Sequence, residues 1–202
     1  MTKQFHGHEL SHEALEQLFL EARSYNAWLD KEVSEDQIRH IYDLLKMGPT
    51  SANQQSARFV WCKSQDAKDR LAKHASEGNV DKIKTAPVCV IIGYDIDFHE
   101  HLPELFPHTD AKSWFEGDVE GRITQAKRNS ALQGAYLMLA ARALGLDCGP
   151  MSGVDLDKVT EDFFADQPQY RADWICSIGY GDKDSIFDRS PRPEFEKFNR
   201  ID

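Results

Sequence analysis

No C-x-x-C pair occurs in this sequence, and its four cysteines, Cys62, Cys89, Cys148 and Cys176, stand far apart. That spacing argues against a zinc knuckle and against a dense disulfide framework. Cys62, Cys89 and Cys176 fall inside apolar runs that read as strands, where a buried, reduced thiol is expected. An excess of basic charge is missing too: 24 lysines and arginines face 34 acidic residues, for a net charge of -10. Such a chain repels phosphate backbones and anionic lipid surfaces, so no nucleic-acid or membrane partner is expected. The opening MTKQFHGHEL has no apolar segment of the kind a secretory signal needs, and the most apolar later stretch, AYLMLAARALGL, is short and broken by Arg142. The expected location is the cytoplasm. Phosphate-loop, G-x-G-x-x-G, G-x-S-x-G and H-E-x-x-H signatures are all absent. Nucleotide hydrolysis, Rossmann dehydrogenation, α/β-hydrolase chemistry and zinc proteolysis each lose their main sequence support. His6, His8, His99, His101 and His108 are spaced like surface residues rather than as the short fixed pairs of a tetrahedral site, and no metal is expected.

What remains is an ordinary globular composition, 41% hydrophobic and 29% charged over 202 residues, enough for one well-packed domain. Leu15, Leu18, Phe19 and Ala22 recur at helical spacing and predict an amphipathic helix over Ser11–Ala22. Ser34 with Gln37 forms a capping-box pattern that opens a second helix, which Gly48-Pro49 closes. Arg58–Lys63 reads as a strand and DAKDRLAKHA as a short helix. The continuous apolar run APVCVIIGYD reads as the centre of a sheet. The His-, Pro- and aromatic-rich segment around 98–118 reads as an excursion of loop and short helix over a surface or pocket. Gly121–Leu144 is helical, with small residues nearly all round around SALQGAYLMLAARALG, and so is expected to be buried. LDCGPMSGVD reads as a loop, Leu156–Phe164 as a helix and DWICSIGYGD as a strand. The last twenty residues read as an extended tail. Helices around a small, mostly antiparallel or mixed sheet make the fold class α+β.

Four polar islands fall at the ends of these elements: ARSYNAW, GPTSANQQ, GNVDK and GPMSG. Arg23, Lys82, Arg189 and Arg192 lie at or beyond such ends in an otherwise acidic chain. Together they suit a flat, amide-rich anion. Flavin mononucleotide (FMN) is one, with a phosphate that matches guanidinium and hydroxyl donors and a pyrimidine edge that matches an amide and an ammonium.

In this order the islands resemble the nitroreductase family of FMN enzymes over nearly the whole chain. The runs KMGPTSAN, GNVDKIKTAP, LPELFPHTDAKSWF, RNSALQGAYLMLAARALGLDCGPMSG and IGYGD resemble more closely its malonic semialdehyde reductases. The resemblance implies a single nitroreductase-like domain over 1–202, an intertwined homodimer with FMN at the interface, and a lid formed by the excursion. It implies that Arg23 and Ser24 contact the FMN phosphate. Many relatives are basic where Asn26 stands, so charge near the flavin from this loop is reduced here. Read without the family, Arg23 is simply a cation at a helix C-terminus. Pro49, Thr50 and Ser51 would pack on the flavin ring from the second subunit, with Asn53 and Gln55 as the amide positions that follow. A helix-ending turn is the alternative. Relatives read Gln-Pro-Trp where this chain reads Gln55-Ser56-Ala57, which widens the local pocket. Asn79 and Lys82 would bind the pyrimidine edge; otherwise they are an N-cap region and an exposed lysine. Pro150, Met151, Ser152 and Gly153 match a loop whose backbone N–H faces flavin N5, with Ser152 and Gly153 the foremost positions. Arg189 and Arg192 match basic residues that close on the phosphate, although the same tail reads equally well as a solvated dimer arm.

The implied activity is a ping-pong oxidation of NADPH or NADH, with hydride passed to malonic semialdehyde in pyrimidine degradation to give 3-hydroxypropanoate. His108, Lys112, Arg128 and Arg142 are candidates for the substrate carboxylate, and no arrangement identifies a proton donor. A broad nitro, quinone or enone reductase is the alternative enzyme, and a flavin-binding or scaffold protein the alternative of another class.

Overall fold

The computed structural model describes residues 7–202, so His6 lies outside the described residues. In chain order the elements are α1 (His12–Leu15), α2 (Glu35–Leu45), β1 (Ala57–Cys62), α3 (Gln65–Ala72), α4 (Glu77–Lys84), β2 (Val88–Asp95), α5 (Leu102–Leu105), α6 (Val119–Ala143), β3 (Asp147–Met151), α7 (Leu156–Phe163), β4 (Tyr170–Gly179) and α8 (Phe195–Phe198). The strands form one sheet in the order β1-β2-β4-β3, with every neighbouring pair antiparallel.

Local chemistry accounts for most of these boundaries. Ser34 Oγ accepts from the Gln37 N–H at 3.1 Å and Gln37 Oε1 accepts from the Ser34 N–H at 3.0 Å, so α2 opens on a complete capping box. Ser64 and Asp155 cap α3 and α7 through the same kind of side-chain bond. The central strand β2 sorts its residues by period two. Val88, Val90 and Ile92 join Ile41, Leu45 and Leu137 in one core cluster, and Cys89 and Ile91 join Leu71, Ile83 and Val159 in another. Helices α2 and α6 therefore cover one face of the sheet, and α3, α4 and α7 cover the other.

Three expectations change. The first helix is α-helical for only four residues and continues as a π-helical turn over Glu16–Leu20. Gly149 and Pro150, read from sequence as a loop, lie in the edge strand β3. An edge tolerates proline because no ladder N–H is needed on its open side. Gly149 is required there, since a Cβ would sit 2.5 Å from the Tyr25 carbonyl oxygen. Helix α6 is not buried all round. Its inner stripe holds Ala126, Asn129, Ser130, Gln133 and Leu137, whereas Leu132 and Tyr136 on its outer side are exposed.

The 98–118 segment has a small core of its own. Phe98, Leu102 and Ala111 are buried against Ala126 of α6, and Arg122 ties the segment down by donating to the Ile96 and Phe115 carbonyls and pairing with Asp97.

Candidate functional site

A cavity of about 440 Å³ lies between the turn after α1, the end of α6 and the tail, lined by Arg23, Ser24, Arg142, Phe187, Arg189 and Arg192 among others. Two of its arginines fix the walls. Arg23 Nη2 donates to the Phe187 carbonyl, and Arg189 Nη2 donates to the carbonyls of Leu20 at 2.6 Å and Ala22 at 3.3 Å. These bonds hold the tail against the 20–24 turn and so bring together basic residues far apart in sequence. Asn26 reinforces the same seam through a 3.4 Å bond to the Ser185 carbonyl. Arg192 reaches only its own neighbours, Ser190 and Pro191. Arg142 makes a single long bond, 3.4 Å to the Leu18 carbonyl. Four guanidiniums around one cavity suit a doubly charged anion. Behind Ser24, burial pushes the Tyr25 phenol up, with Asp147 adding to the effect, so this wall stays neutral.

A second cluster lies at the other end of β3. The Gly153 carbonyl accepts from the Ser76 N–H at 2.9 Å, Ser76 Oγ at 3.0 Å and Asn79 Nδ2 at 3.1 Å. A Cβ on Gly153 would sit 2.6 Å from Asn79 Nδ2 and 2.7 Å from Ser76 Oγ, so only glycine allows this approach. The bonds leave Asn79 Oδ1 without a partner among the described residues, and Lys82, three residues on in α4, forms no ion pair among them. Met151 turns its side chain into the core and Pro150 lies within β3, so Ser152 and Gly153 are the residues beyond the strand. Ser24 bridges Cys148 near the start of β3 and Ala75 bridges Val154 just beyond its end. The two clusters are therefore separated by up to about 16 Å, the span of five residues at strand rise.

The segment Pro49–Gln55 forms the third feature. Ala52, Asn53 and Gln55 have φ of 50°, 49° and 43°, the only non-glycine residues with positive φ among those described. Such conformations cost about 1–3 kcal/mol each and cluster at functional sites. Thr50 Oγ1 accepts from the Gln55 N–H at 3.2 Å, and Asn53 donates to the Leu105 carbonyl at 2.8 Å, which joins the loop to the 98–118 segment. Beside it lies a cavity of about 400 Å³ lined by Asn53, Gln55, Ala57, Arg58, His101 and Gln133 among others, with small Ala57 on its wall. Gln54 is fully buried and neither end of its amide has a partner among the described residues.

The structure thus brings Arg23, Ser24, Arg189 and Arg192 together, and Asn79 with Gly153. It does not join the 49–55 loop to either group by any hydrogen bond or ion pair among the described residues. Of the candidates for a substrate carboxylate, Lys112 is held by Glu100 at 2.6 Å and Arg142 lines the arginine cavity instead. Ser76, Asn129 and Gln133 were not singled out from sequence. The available signal was a polar stripe, Asn129, Ser130 and Gln133, on the face of α6 that hydrophobic spacing assigns to the core.

The chain is similar to known proteins along nearly all its length. The Nitroreductase family pattern matches residues 2–181. A protein of Stenotrophomonas maltophilia (strain R551-3), provisionally named an NADH dehydrogenase/NAD(P)H nitroreductase, is 55% identical over 194 residues, covering 96% of this chain and 98% of that one. Among solved structures, a provisionally named nitroreductase of Bacillus subtilis superposes with a TM-score of 0.85 at 20% identity, covering 95% of this chain and 100% of that one. Another, from Exiguobacterium sibiricum 255-15 and in complex with FMN, gives 0.83 at 20% identity, covering 96% and 99%. At that identity these two establish the shared fold. The family pattern and the relative identical at more than half its aligned positions establish more: the chain belongs to the nitroreductase family.

Proposed function

We propose that the chain is an FMN-dependent NAD(P)H oxidoreductase. The observation that carries this reading is the arginine-lined cavity at one end of β3 with the Asn79 amide bonded to Gly153 just beyond its other end, an arrangement that suits an elongated ligand with a phosphate at one end and an amide edge at the other. Arg23, Ser24, Arg142, Arg189 and Arg192 would hold the phosphate. Asn79 Oδ1 would accept from the pyrimidine edge, and Lys82 would sit where negative charge develops on reduction. Asn26 and Pro150 would shape the walls, Met151 contributing only its backbone, leaving the backbone at Ser152 and Gly153 to face the ring. Bound FMN supplies hydride chemistry, alternating between acceptance from NADH or NADPH and donation to an acceptor.

Pro49, Thr50, Ser51, Asn53 and Gln55 would reach this site from a second copy of the chain. Exposed apolar residues support a homodimer: Met47, Tyr42 and Leu44 at the end of α2, and Leu132 and Tyr136 on the outer side of α6. The 98–118 segment, bonded to the loop through Asn53 and Leu105, would act as a lid. For the acceptor we propose malonic semialdehyde, whose aldehyde carbon takes the hydride and whose oxygen takes a proton to give 3-hydroxypropanoate. This finer reading rests on the sequence runs that resemble that branch of the family. A second reading, reduction of nitro, quinone or enone compounds, is favoured by the ring group Phe106, His108 and Trp114, with centroids 5.3 and 6.2 Å from Phe106, which offers a stacking surface to planar acceptors.

The test is a visible spectrum of the purified, FMN-supplied protein under anaerobic conditions. Bleaching by NADPH or NADH and recovery with malonic semialdehyde is the expected result. Recovery only with a nitroaromatic or quinone would replace the acceptor. Bound flavin without turnover would leave a binding protein, and no uptake of FMN would overturn the proposal.

A further inference from the structure

The 49–55 loop holds three left-handed residues and a buried, unpartnered Gln54 amide, so its backbone shape is not the one it would adopt alone. Something outside the loop must select it. Two side chains of α6, one turn apart, do so. Asn129, 2% exposed, accepts the Ser51 N–H on Oδ1 at 2.8 Å while its own Nδ2 is anchored on the Gln125 carbonyl. Gln133, 3% exposed, accepts the Ala57 N–H on Oε1 at 2.9 Å and donates from Nε2 to Gln55 Oε1 at 2.7 Å. Amides at these positions displace apolar side chains from the core-facing stripe of a long helix, which weakens packing unless both ends of each amide are used. Here each amide spends one end on the backbone at either end of the strained segment.

We infer that Asn129 and Gln133 are positioning residues: buried amides on α6 that clamp the loop at Ser51 and Ala57 and hold Thr50–Gln55 in the shape that packs on the bound ring. This rests on the FMN reading above. The pair acts through the loop, and Gln133 also lines the cavity of about 400 Å³ beside it. The arrangement also explains why a segment without glycine keeps three positive φ values. The clamp fixes Ser51 and Ala57, and the residues between must turn left-handed to close the gap.

The experiment compares wild type with Asn129→Ala, Gln133→Ala and Gln133→Met. Gln133→Met keeps the packing volume if an alanine variant does not fold. In the apo chain, amide exchange at Ser51 and Ala57 is expected to quicken by about tenfold or more in the Ala and Met variants, with Val90 and Ile91 of β2 unchanged. After FMN is supplied, those variants should show a shifted flavin absorption band and a kcat lower by about tenfold to a hundredfold, with KM for NADPH little changed. Unchanged exchange at Ser51 and Ala57 would overturn the clamp. Faster exchange with an unaltered flavin band, FMN affinity and kcat would overturn the positioning role while leaving the FMN reading intact. A wild-type chain that binds no FMN would instead remove that reading, and this role with it.

Discussion

Replacing Arg142 by alanine would test phosphate recognition by the proposed site apart from its other roles. Arg23 and Arg189 already spend donors on the Phe187, Leu20 and Ala22 carbonyls, so they mainly build the cavity. Arg192 is exposed and, among the described residues, bonds only to its neighbours. Arg142 is half-buried, makes one long bond and lines the same cavity, which leaves its guanidinium free to face an anion. A hydrogen bond to a charged group contributes about 1.5–3 kcal/mol, so losing it should weaken FMN by about tenfold to a hundredfold. The loss at Arg192 should be smaller, because water and salt screen an exposed pair. Local structure should survive, since Gln17 bonds the Arg142 backbone carbonyl, which alanine retains. The assay is fluorescence titration with FMN and with riboflavin, which has the same ring but no phosphate. Arg142→Ala should weaken FMN and leave riboflavin unchanged, and added salt should narrow the gap between wild type and variant. Equal weakening of the two ligands would place Arg142 outside the phosphate site, and the reasoning would fail.

Gly153→Ala should do the reverse, weakening FMN and riboflavin alike, because the new Cβ would displace Asn79 Nδ2 and Ser76 Oγ from 2.6 and 2.7 Å; the same two titrations check it. Arg58→Ala should remove the 2.5 Å partner of the Asp95 carboxylate, which is 2% exposed, leaving it the Asp97 N–H at 2.8 Å and His101 at 3.5 Å. Breaking a buried pair costs about 3–5 kcal/mol, a fall in Tm of roughly 6–20 °C at this chain length, and a calorimetric fall of under about 3 °C would show that Asp95 finds other partners. The Arg70 guanidinium, and then His74, hold the Asp162 carboxyl below the usual carboxylate range. A depressed carboxylate stabilises the fold above its unfolded pKa of about 4 and loses that contribution as pH falls through the lower folded value. The Tm gap between wild type and Asp162→Asn should therefore be full at neutral pH and close in acid, and a gap independent of pH would contradict the pairing. Burial pushes the Cys62 and Cys89 thiols up to about 12. A thiol reagent at pH 8 should leave both unmodified until denaturant is added, and prompt labelling of the native chain would refute their burial.

Where short-range chemistry decides, the sequence was a reliable guide. The capping box at Ser34 and Gln37, the run centred on Val90 and Ile91, and the stop at Gly48-Pro49 are each settled within a few residues, and the structure follows them. The reading failed where a distant contact overrules local preference. Gly149-Pro150 looks like a loop until Tyr25 packs against it, and α6 looks buried all round until its outer Leu132 and Tyr136 are found uncovered. Asn129 and Gln133 escaped notice because an amide on a helix has no local signature of what it will hold.

By itself the sequence determined the order of elements apart from the edge strand β3, the apolar pattern that builds a two-faced sheet, and the polar islands between them. Periodicity and capping are properties of neighbouring residues, so they can be read along the chain. Only the tertiary structure decided that Arg142 joins Arg23, Arg189 and Arg192, and that Asn79 closes on Gly153. The left-handed 49–55 loop, held by two buried amides of α6, was likewise legible only in three dimensions. These are contacts between residues some 70 to 170 positions apart, and their energies depend on distance and burial, which sequence spacing does not contain.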